Sequence, residues 1–186
     1  MAHEDKRGHG HHHHAPGKAG QEYRFCPRCG AGLERRLVKT GEPERLVCRG
    51  CEFIFYLDPK VVAGTLFTID RKIVLLRRGV EPSLGKWVFP GGYVDRGESV
   101  PDAAVRETKE ESCLDVRLGA TVGVYSYAGS PNVIIVYAAV VTGGELAAGD
   151  ESVEAKAFDA GEIPWRNLGF DSTRDALEDY IRLYLK

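Results

Sequence analysis

The chain has 186 residues, 43% hydrophobic and 28% charged, with 25 Lys+Arg against 27 Asp+Glu and a net charge of −2. That is enough chain to bury a core, as one domain or as one domain with a small module. The charge balance is unlike that of a dedicated DNA binder or a basic membrane-surface protein, so nucleic acid is not an expected partner. No apolar run approaches the roughly 18 residues of a membrane span, and the polar N-terminus has no apolar signal core. The expected location is the cytoplasm, with no membrane partner. Five cysteines are present, four of them in two tight pairs. An odd count in that arrangement points to metal spacing in a reducing compartment and not to a disulfide framework.

Residues 1–20 are rich in His, Gly and Lys and hold almost no large apolar side chain. They cannot bury enough surface to order themselves, so a disordered tail is expected. All six histidines lie there, from His3 to His14. Ser-His-Asp and Cys-His mechanisms are therefore excluded from the rest of the chain unless the tail folds back.

Residues 21–57 are expected to form a small module around the cysteine pairs Cys26-Pro27-Arg28-Cys29 and Cys48-Arg49-Gly50-Cys51, which are separated by 18 residues. This is the spacing of a four-thiolate zinc site, since each two-residue gap forms a knuckle that turns both thiolates to one centre. Gly30 and Gly50 permit such turns. A closed four-ligand site leaves no position for water, so the zinc is read as a structural staple. Cys113, far away in sequence, is read as a buried apolar residue.

Leu57-Asp58-Pro59-Lys60 is a linker candidate, because the residue before proline avoids helix. A second domain follows over 58–186. Val61 to Asp70 and Lys72 to Arg77 read as two β-rich runs joined by a short turn. Trp87-Val88-Phe89 is a short strand stopped by Pro90-Gly91-Gly92. Ser99 to Ser112 is a helix with Ser99 as N-cap and Pro101 in its first turn. Val116 to Tyr127, Val133 to Val141 and Val153 to Phe158 are strand candidates. Asp171 is expected to cap a last helix in which Leu177, Ile181, Tyr184 and Leu185 share a face. Strands, one helix, more strands and one helix make an α+β fold with a mixed sheet.

The central helix carries the chemistry. Glu107 lies one turn from both Glu110 and Glu111, so three carboxylates share a face. Like charges so placed repel, and a hard divalent cation is the natural compensation. Gly91-Gly92 brings backbone carbonyls close to the same place. Glu98, near the helix start, can pair with Arg106 and orient the cluster.

The stretch reads Gly92, five residues, Glu98, seven residues, Arg106-Glu107, Thr108, Lys109, Glu110-Glu111, Ser112, Cys113, Leu114. This pattern resembles the Nudix box. Two positions depart from it: Thr108 stands where an aliphatic residue is usual, and Cys113 where a second glycine is usual. A left-handed backbone costs a non-glycine residue about 1–2 kcal/mol, so the helix is expected to end differently at Cys113. Further likeness lies in Asp58-Pro59-Lys60-Val61-Val62 behind the cysteine module, in Leu75-Leu76-Arg77-Arg78-Gly79, in Phe89-Pro90-Gly91-Gly92-Tyr93 and in Glu162-Ile163-Pro164-Trp165. Together these resemble the zinc-ribbon Nudix group, which acts on FAD, ADP-ribose and similar compounds. The Ser-Gln-Pro-Trp-Pro-Phe-Pro motif of the NADH-directed branch is absent; Val124 to Gly129 stands there instead, which disfavours NADH.

The resemblance implies a Nudix-type α/β/α sandwich with a mixed sheet, preceded by a zinc ribbon. It implies Glu107 and Glu111 as principal Mg2+ or Mn2+ ligands, with Glu110 assisting and the Gly91 carbonyl completing the set. The implied activity is metal-dependent hydrolysis of a pyrophosphate bond in a nucleoside diphosphate linked to another moiety, the partner being a small nucleotide; a homodimer is compatible with this. With no histidine available, the general base is expected to be a glutamate on the loop before the late strand, Glu151 ahead of Glu154. Arg77 or Arg78 could meet a substrate phosphate, and Tyr125, Tyr127, Trp165 and Phe170 could stack on an adenine or flavin ring. The competing readings are a nucleoside triphosphate pyrophosphohydrolase and a non-catalytic ADP-sugar sensor.

Overall fold

The computed structural model describes residues 23–185; the His-rich tail of the sequence lies outside them. The chain divides into two compact units that meet between Leu57 and Asp58.

The first unit is a three-stranded antiparallel sheet in the order β1 (Leu33–Arg36), β2 (Arg45–Cys48), β3 (Ile54–Phe55). Leu33 pairs with Cys48 and Leu46 with Phe55. Of its described residues only Cys26, Leu46, Val47 and Cys48 form a buried apolar set. So small a core cannot hold a sheet in water, and a module of this size needs a covalent or metal staple.

The second unit holds two sheets. The mixed sheet has the order β8 (Gly91–Tyr93), β4 (Lys60–Leu66), β10 (Asn132–Gly144), β9 (Leu114–Ser126). β4 and β10 run parallel, with Val62 opposite Ile134, while β8 and β9 run antiparallel to their neighbours. The other sheet places β6 (Lys72–Arg78) between β5 (Thr68–Ile69) and β11 (Ser152–Phe158), with β7 (Trp87–Val88) also paired to β6. The expected single run from Val61 to Asp70 is thus split: at the fully buried Phe67 the chain leaves one sheet and enters the other. Asp70 and Arg71 both take positive φ, 49° and 65°, between the paired Ile69 and Lys72. Two left-handed residues match the strand twist of a two-residue hairpin.

Side chains alternate across the mixed sheet, and that alternation sorts the helices. Leu66, Ile134, Val136 and Tyr125 pack with Ala176, Leu177 and Tyr180 of α2 (Asp171–Tyr184) on one face. Ala63 packs with Ala103 and Ala104 of α1 (Val100–Ser112), and with Tyr137 and Leu118, on the other. The result is a sheet layer between helices, as the fold reading required.

Helix boundaries depart from expectation at two places. Asp171 is the first residue of α2; Phe170 occupies the N-cap position and offers no side-chain cap. At the end of α1, Cys113 does adopt the left-handed conformation, φ 61° and ψ 12°, with its N–H on the Lys109 carbonyl at 3.0 Å. The turn expected of a glycine is therefore kept with a cysteine in it. Cys113 is also partly exposed and not buried.

Candidate active site and cysteine cluster

α1 begins as its sequence dictates. Ser99 accepts from the Asp102 N–H at 3.3 Å and donates to its carboxylate at 2.6 Å, with proline in the first turn. Two-thirds of the way along, the helix turns Glu107 and Glu111 inward, while Glu110 stays half exposed. Glu107 lies against Gly92: a Cβ there would come within 2.5 Å of the Glu107 carboxylate. Gly91 donates its N–H to Glu111 Oε2 at 2.8 Å. The two glycines thus let the backbone of β8 touch both carboxylates.

Arg106 gathers the remaining charge. Its Nε and Nη2 reach Glu98 at 2.8 and 2.9 Å, its Nη1 reaches Glu107 at 2.7 Å and Glu110 at 3.0 Å, and Nη2 also donates to the Tyr93 carbonyl at 3.1 Å. The Glu98–Arg106 pairing read from the sequence is present. Part of the like-charge repulsion on α1 is therefore relieved by one guanidinium, before any metal is considered.

The electrostatics rank the carboxylates. Arg106, together with the Asp95 N–H, holds Glu98 down at about 2, and Glu98 in turn raises Arg106 above its ordinary value. Burial raises Glu107, against the pull of Arg106, and the neighbouring Glu110 and Glu151 charges add to the rise. Burial pushes Glu111 up to about 8; the Gly91 N–H and Arg78 oppose this, and Glu107 and Glu151 reinforce it. Buried, mutually repelling carboxylates set against the Gly91-Gly92 backbone are a donor set that suits a hard divalent cation. Glu107, Glu111 and the Gly91 segment fit that role by chemistry, with Glu110 at the rim.

Glu151 reaches this place through its loop. Gly149 donates to the Glu111 carbonyl at 3.0 Å, Ala147 to the Ser112 carbonyl at 3.1 Å, and Gly79 to the Glu151 carbonyl at 2.7 Å. A side chain at 149 would collide with the Glu110 carbonyl, so only glycine lets the loop close on α1. The Glu151 charge is felt by both Glu107 and Glu111. Glu154, the lesser candidate, instead faces Arg77 at 3.7 Å on exposed strand surface. Arg77 also donates to the Gly85 carbonyl. Arg78 donates to the Pro82 carbonyl at 2.7 Å, lies 5.5 Å from the centre of the Phe170 ring, and lowers Glu111 through its charge. Of the two arginines, Arg78 is the one the structure brings to the carboxylates.

Tyr125 and Tyr127 are engaged elsewhere. Their hydroxyls donate to Asp179 at 3.0 Å and Asp175 at 2.7 Å, both on α2, and burial with those carboxylates raises both phenols. They tie β9 to α2. Trp165 and Phe170 precede that helix, and Phe170 remains exposed enough to meet a ligand.

In the first unit the four cysteine sulfurs lie within 4.8 Å of one another, the only such gathering of ligand atoms among the described residues. Cys26 to Cys51 is 3.9 Å and Cys29 to Cys48 is 3.4 Å. Thiolates 2.3 Å from a tetrahedral zinc stand about 3.8 Å apart, so the set fits that ion. Burial raises the Cys48 thiol, but N–H donation from Cys51 and Gly50 outweighs it and brings the group to about 6. The approach of Phe170 to Arg78, and of the aspartates to the tyrosines, leaves no signal in the sequence, because each partner lies far away along the chain.

The Nudix domain profile matches residues 58–180, and a Nudix N-terminal zinc-ribbon profile matches residues 24–57. The chain belongs to the Nudix hydrolase family, enzymes that act on phosphoric anhydrides. It is 38% identical over 138 residues to an ADP-ribose pyrophosphatase of Methanocaldococcus jannaschii, covering 70% of this chain and 78% of that one. It is 25% identical to the NAD-capped RNA hydrolase NudC of Pseudomonas putida, over 87% of this chain but only 57% of the relative's length. A crystal structure of a Nudix hydrolase from Nitrosomonas europaea superposes with a TM-score of 0.82 at 30% identity, covering 88% of this chain and 93% of that one. No helix among the described residues is long and apolar enough to cross a membrane.

Proposed function

We propose that the protein hydrolyses the pyrophosphate bond of a nucleoside diphosphate joined to a second group, in a reaction that depends on Mg2+ or Mn2+, with ADP-ribose as the first candidate and FAD as the second. The observation that carries this reading is the burial of Glu107 and Glu111 together against the Gly91-Gly92 backbone, with Glu151 beside them. Glu107, Glu111 and the Gly91 carbonyl would hold the cations, with Glu110 assisting. Bound there, the cations would neutralise the pyrophosphate and lower the pKa of the attacking water.

The chain's own residues supply the rest. Glu98 and Arg106 fix the side of α1 from which Glu107 projects. Glu151 takes a proton from water as its oxygen adds to one phosphorus, and the bond from that phosphorus to the bridging oxygen breaks. The second phosphate leaves as a monoester carrying its own organic group. Arg78 meets a substrate phosphate, and the Phe170 ring beside it offers a face to the base. The cysteine cluster holds one zinc ion per chain and keeps the first unit folded.

Substrate choice rests on the relatives' likeness and on the missing NADH motif, since the carboxylate site treats any pyrophosphate alike. The test is incubation with Mg2+ or Mn2+ and a panel of ADP-ribose, FAD, NADH, NAD-capped RNA and nucleoside triphosphates. AMP with ribose 5-phosphate, or AMP with FMN, is the expected product pair. Glu111→Gln should remove activity by about a hundredfold or more while the protein stays folded. Near-wild-type turnover in saturating Mg2+ would end the assignment. Inorganic pyrophosphate from a triphosphate, with the dinucleotides untouched, would move the protein to the triphosphate reading.

A further inference from the structure

Thr65 on β4 and Thr108 on α1 are both fully buried, and their hydroxyl oxygens lie 2.6 Å apart. Thr108 donates its proton to the Ala104 carbonyl, also at 2.6 Å. A threonine hydroxyl has one proton, so the bridge is Thr65 donating to Thr108. The same Thr65 donates its backbone N–H to the Pro90 carbonyl at 3.0 Å. The next residue, Gly91, donates to Glu111. Glu111 is three residues beyond Thr108 on α1, so the circuit closes: helix to strand, strand to loop, loop back to helix.

The packing around this circuit is small and smooth. Ala63, Ala103 and Ala104 form the buried contact between β4 and α1. Methyl groups provide contact area but little resistance to sliding, whereas hydrogen bonds are directional. The tolerance at the far end is narrow, because Glu107 already lies against the backbone of Gly92. A slide of α1 on β4 moves Glu107 and Glu111 relative to Gly91-Gly92. Thr108 is also one of the two positions at which this sequence departs from the Nudix box, and the structure gives the departure a partner.

We infer that the Thr65–Thr108 hydroxyl bridge is a positioning device that sets the height of α1 on β4 and so holds Glu107 and Glu111 at their cation-binding separation from the Gly91 loop. This rests on the reading of those two glutamates as ligands.

Thr65→Val tests it cleanly, because Thr108 keeps its bond to Ala104 and no buried donor is stranded. Free Mn2+ is titrated by electron paramagnetic resonance in the full chain, where any contribution of the His-rich tail is common to all variants. Expected are a Mn2+ dissociation constant raised about tenfold, at the low end for a supporting partner, a kcat lowered to a similar degree, and an unchanged KM. Thr65→Ser, which restores the donor, should return both values to near wild type. Unaltered Mn2+ affinity and kcat, with only a lower Tm, would overturn the inference. If Thr65→Val does not fold, Thr65→Cys, a weaker donor of similar size, is judged by the same measurements. Glu111→Gln separates the two readings. Loss of Mn2+ binding in that variant, with none of the expected change in Thr65→Val, defeats this inference alone. Retained Mn2+ binding in Glu111→Gln defeats the ligand assignment and this inference with it.

Discussion

Glu111 keeps a carboxylate where charge is costly, with 9% of its surface exposed and only the Gly91 N–H and the more distant Arg78 to favour ionisation. Its folded-state pKa, about 8, lies above the ordinary carboxylate value. A group raised in this way binds its proton more tightly in the folded state. Its favourable contribution is complete below the unfolded value, near 4.5, and is lost as pH rises towards 8. The metal-free protein should therefore lose thermal stability across that window, and added Mn2+ should restore it by binding only the folded state. Glu111→Gln cannot ionise, so its Tm should change less with pH, and the variant should overtake the wild type near pH 8. Parallel Tm–pH curves for the two proteins would show that burial at this position does not govern the charge. Glu98, just ahead of α1, shows the opposite arrangement: the two-pronged Arg106 guanidinium and the Asp95 N–H keep it ionised far below neutrality.

The helix α1 was the most legible element, because its signals are local. Ser99 and Pro101 mark its start, Ala103 and Ala104 its buried side, and the glutamate spacing its reactive side. Its end departs from the sequence expectation, since propensity argues against a left-handed cysteine and the tertiary fold overrides propensity. The neighbouring Gly144 packs on the Cys113 carbonyl closely enough to exclude a side chain, which fixes the turn from outside α1. Cys113→Gly should relieve the left-handed strain, about 1–2 kcal/mol, less about 0.5–1 kcal/mol for the extra freedom of glycine when unfolded. A net gain near 1 kcal/mol is expected, read as a Tm rise of roughly 2–4 °C. A fall in Tm would mean that the half-buried thiol contributes more packing than the turn costs. α2 is held differently. It lacks a side-chain N-cap, and its register on β9 comes from Tyr125 with Asp179 and Tyr127 with Asp175, one turn apart. The sequence shows those tyrosines as aromatic candidates for a ligand, but pairings some fifty residues apart leave no periodic trace. Tyr127→Phe should cost about 1 kcal/mol of stability and leave turnover on the preferred substrate unchanged; a large rise in KM would instead return Tyr127 to the substrate.

At the scale of the whole molecule, the two units draw their stability from different sources. The second buries large apolar clusters between its sheets and helices, one holding Leu66 and Leu177 and another Phe67 and Leu114. Among its described residues the first buries only Leu46 and Val47 of β2 and two of its four cysteines. The cysteine spacing made that difference readable at the outset, because a four-thiolate centre is what a domain without a core requires. Zinc bound at this cluster, as proposed, would supply folding free energy to the first unit. Cys48→Ser removes a buried sulfur that accepts N–H donors from Gly50 and Cys51, and it breaks the ligand set. Metal analysis of the wild type, after correction for metal carried by the His-rich tail, should give one zinc per chain, and the variant should give none. Limited proteolysis of the variant should cut first within residues 21–56, while 58–186 persists as a resistant fragment. Its thermal scan should show a separate early loss, with the main transition little moved. A variant that keeps its zinc would refute the four-thiolate assignment. Simultaneous collapse of both units would show that the second depends on the first for more than its place in the chain.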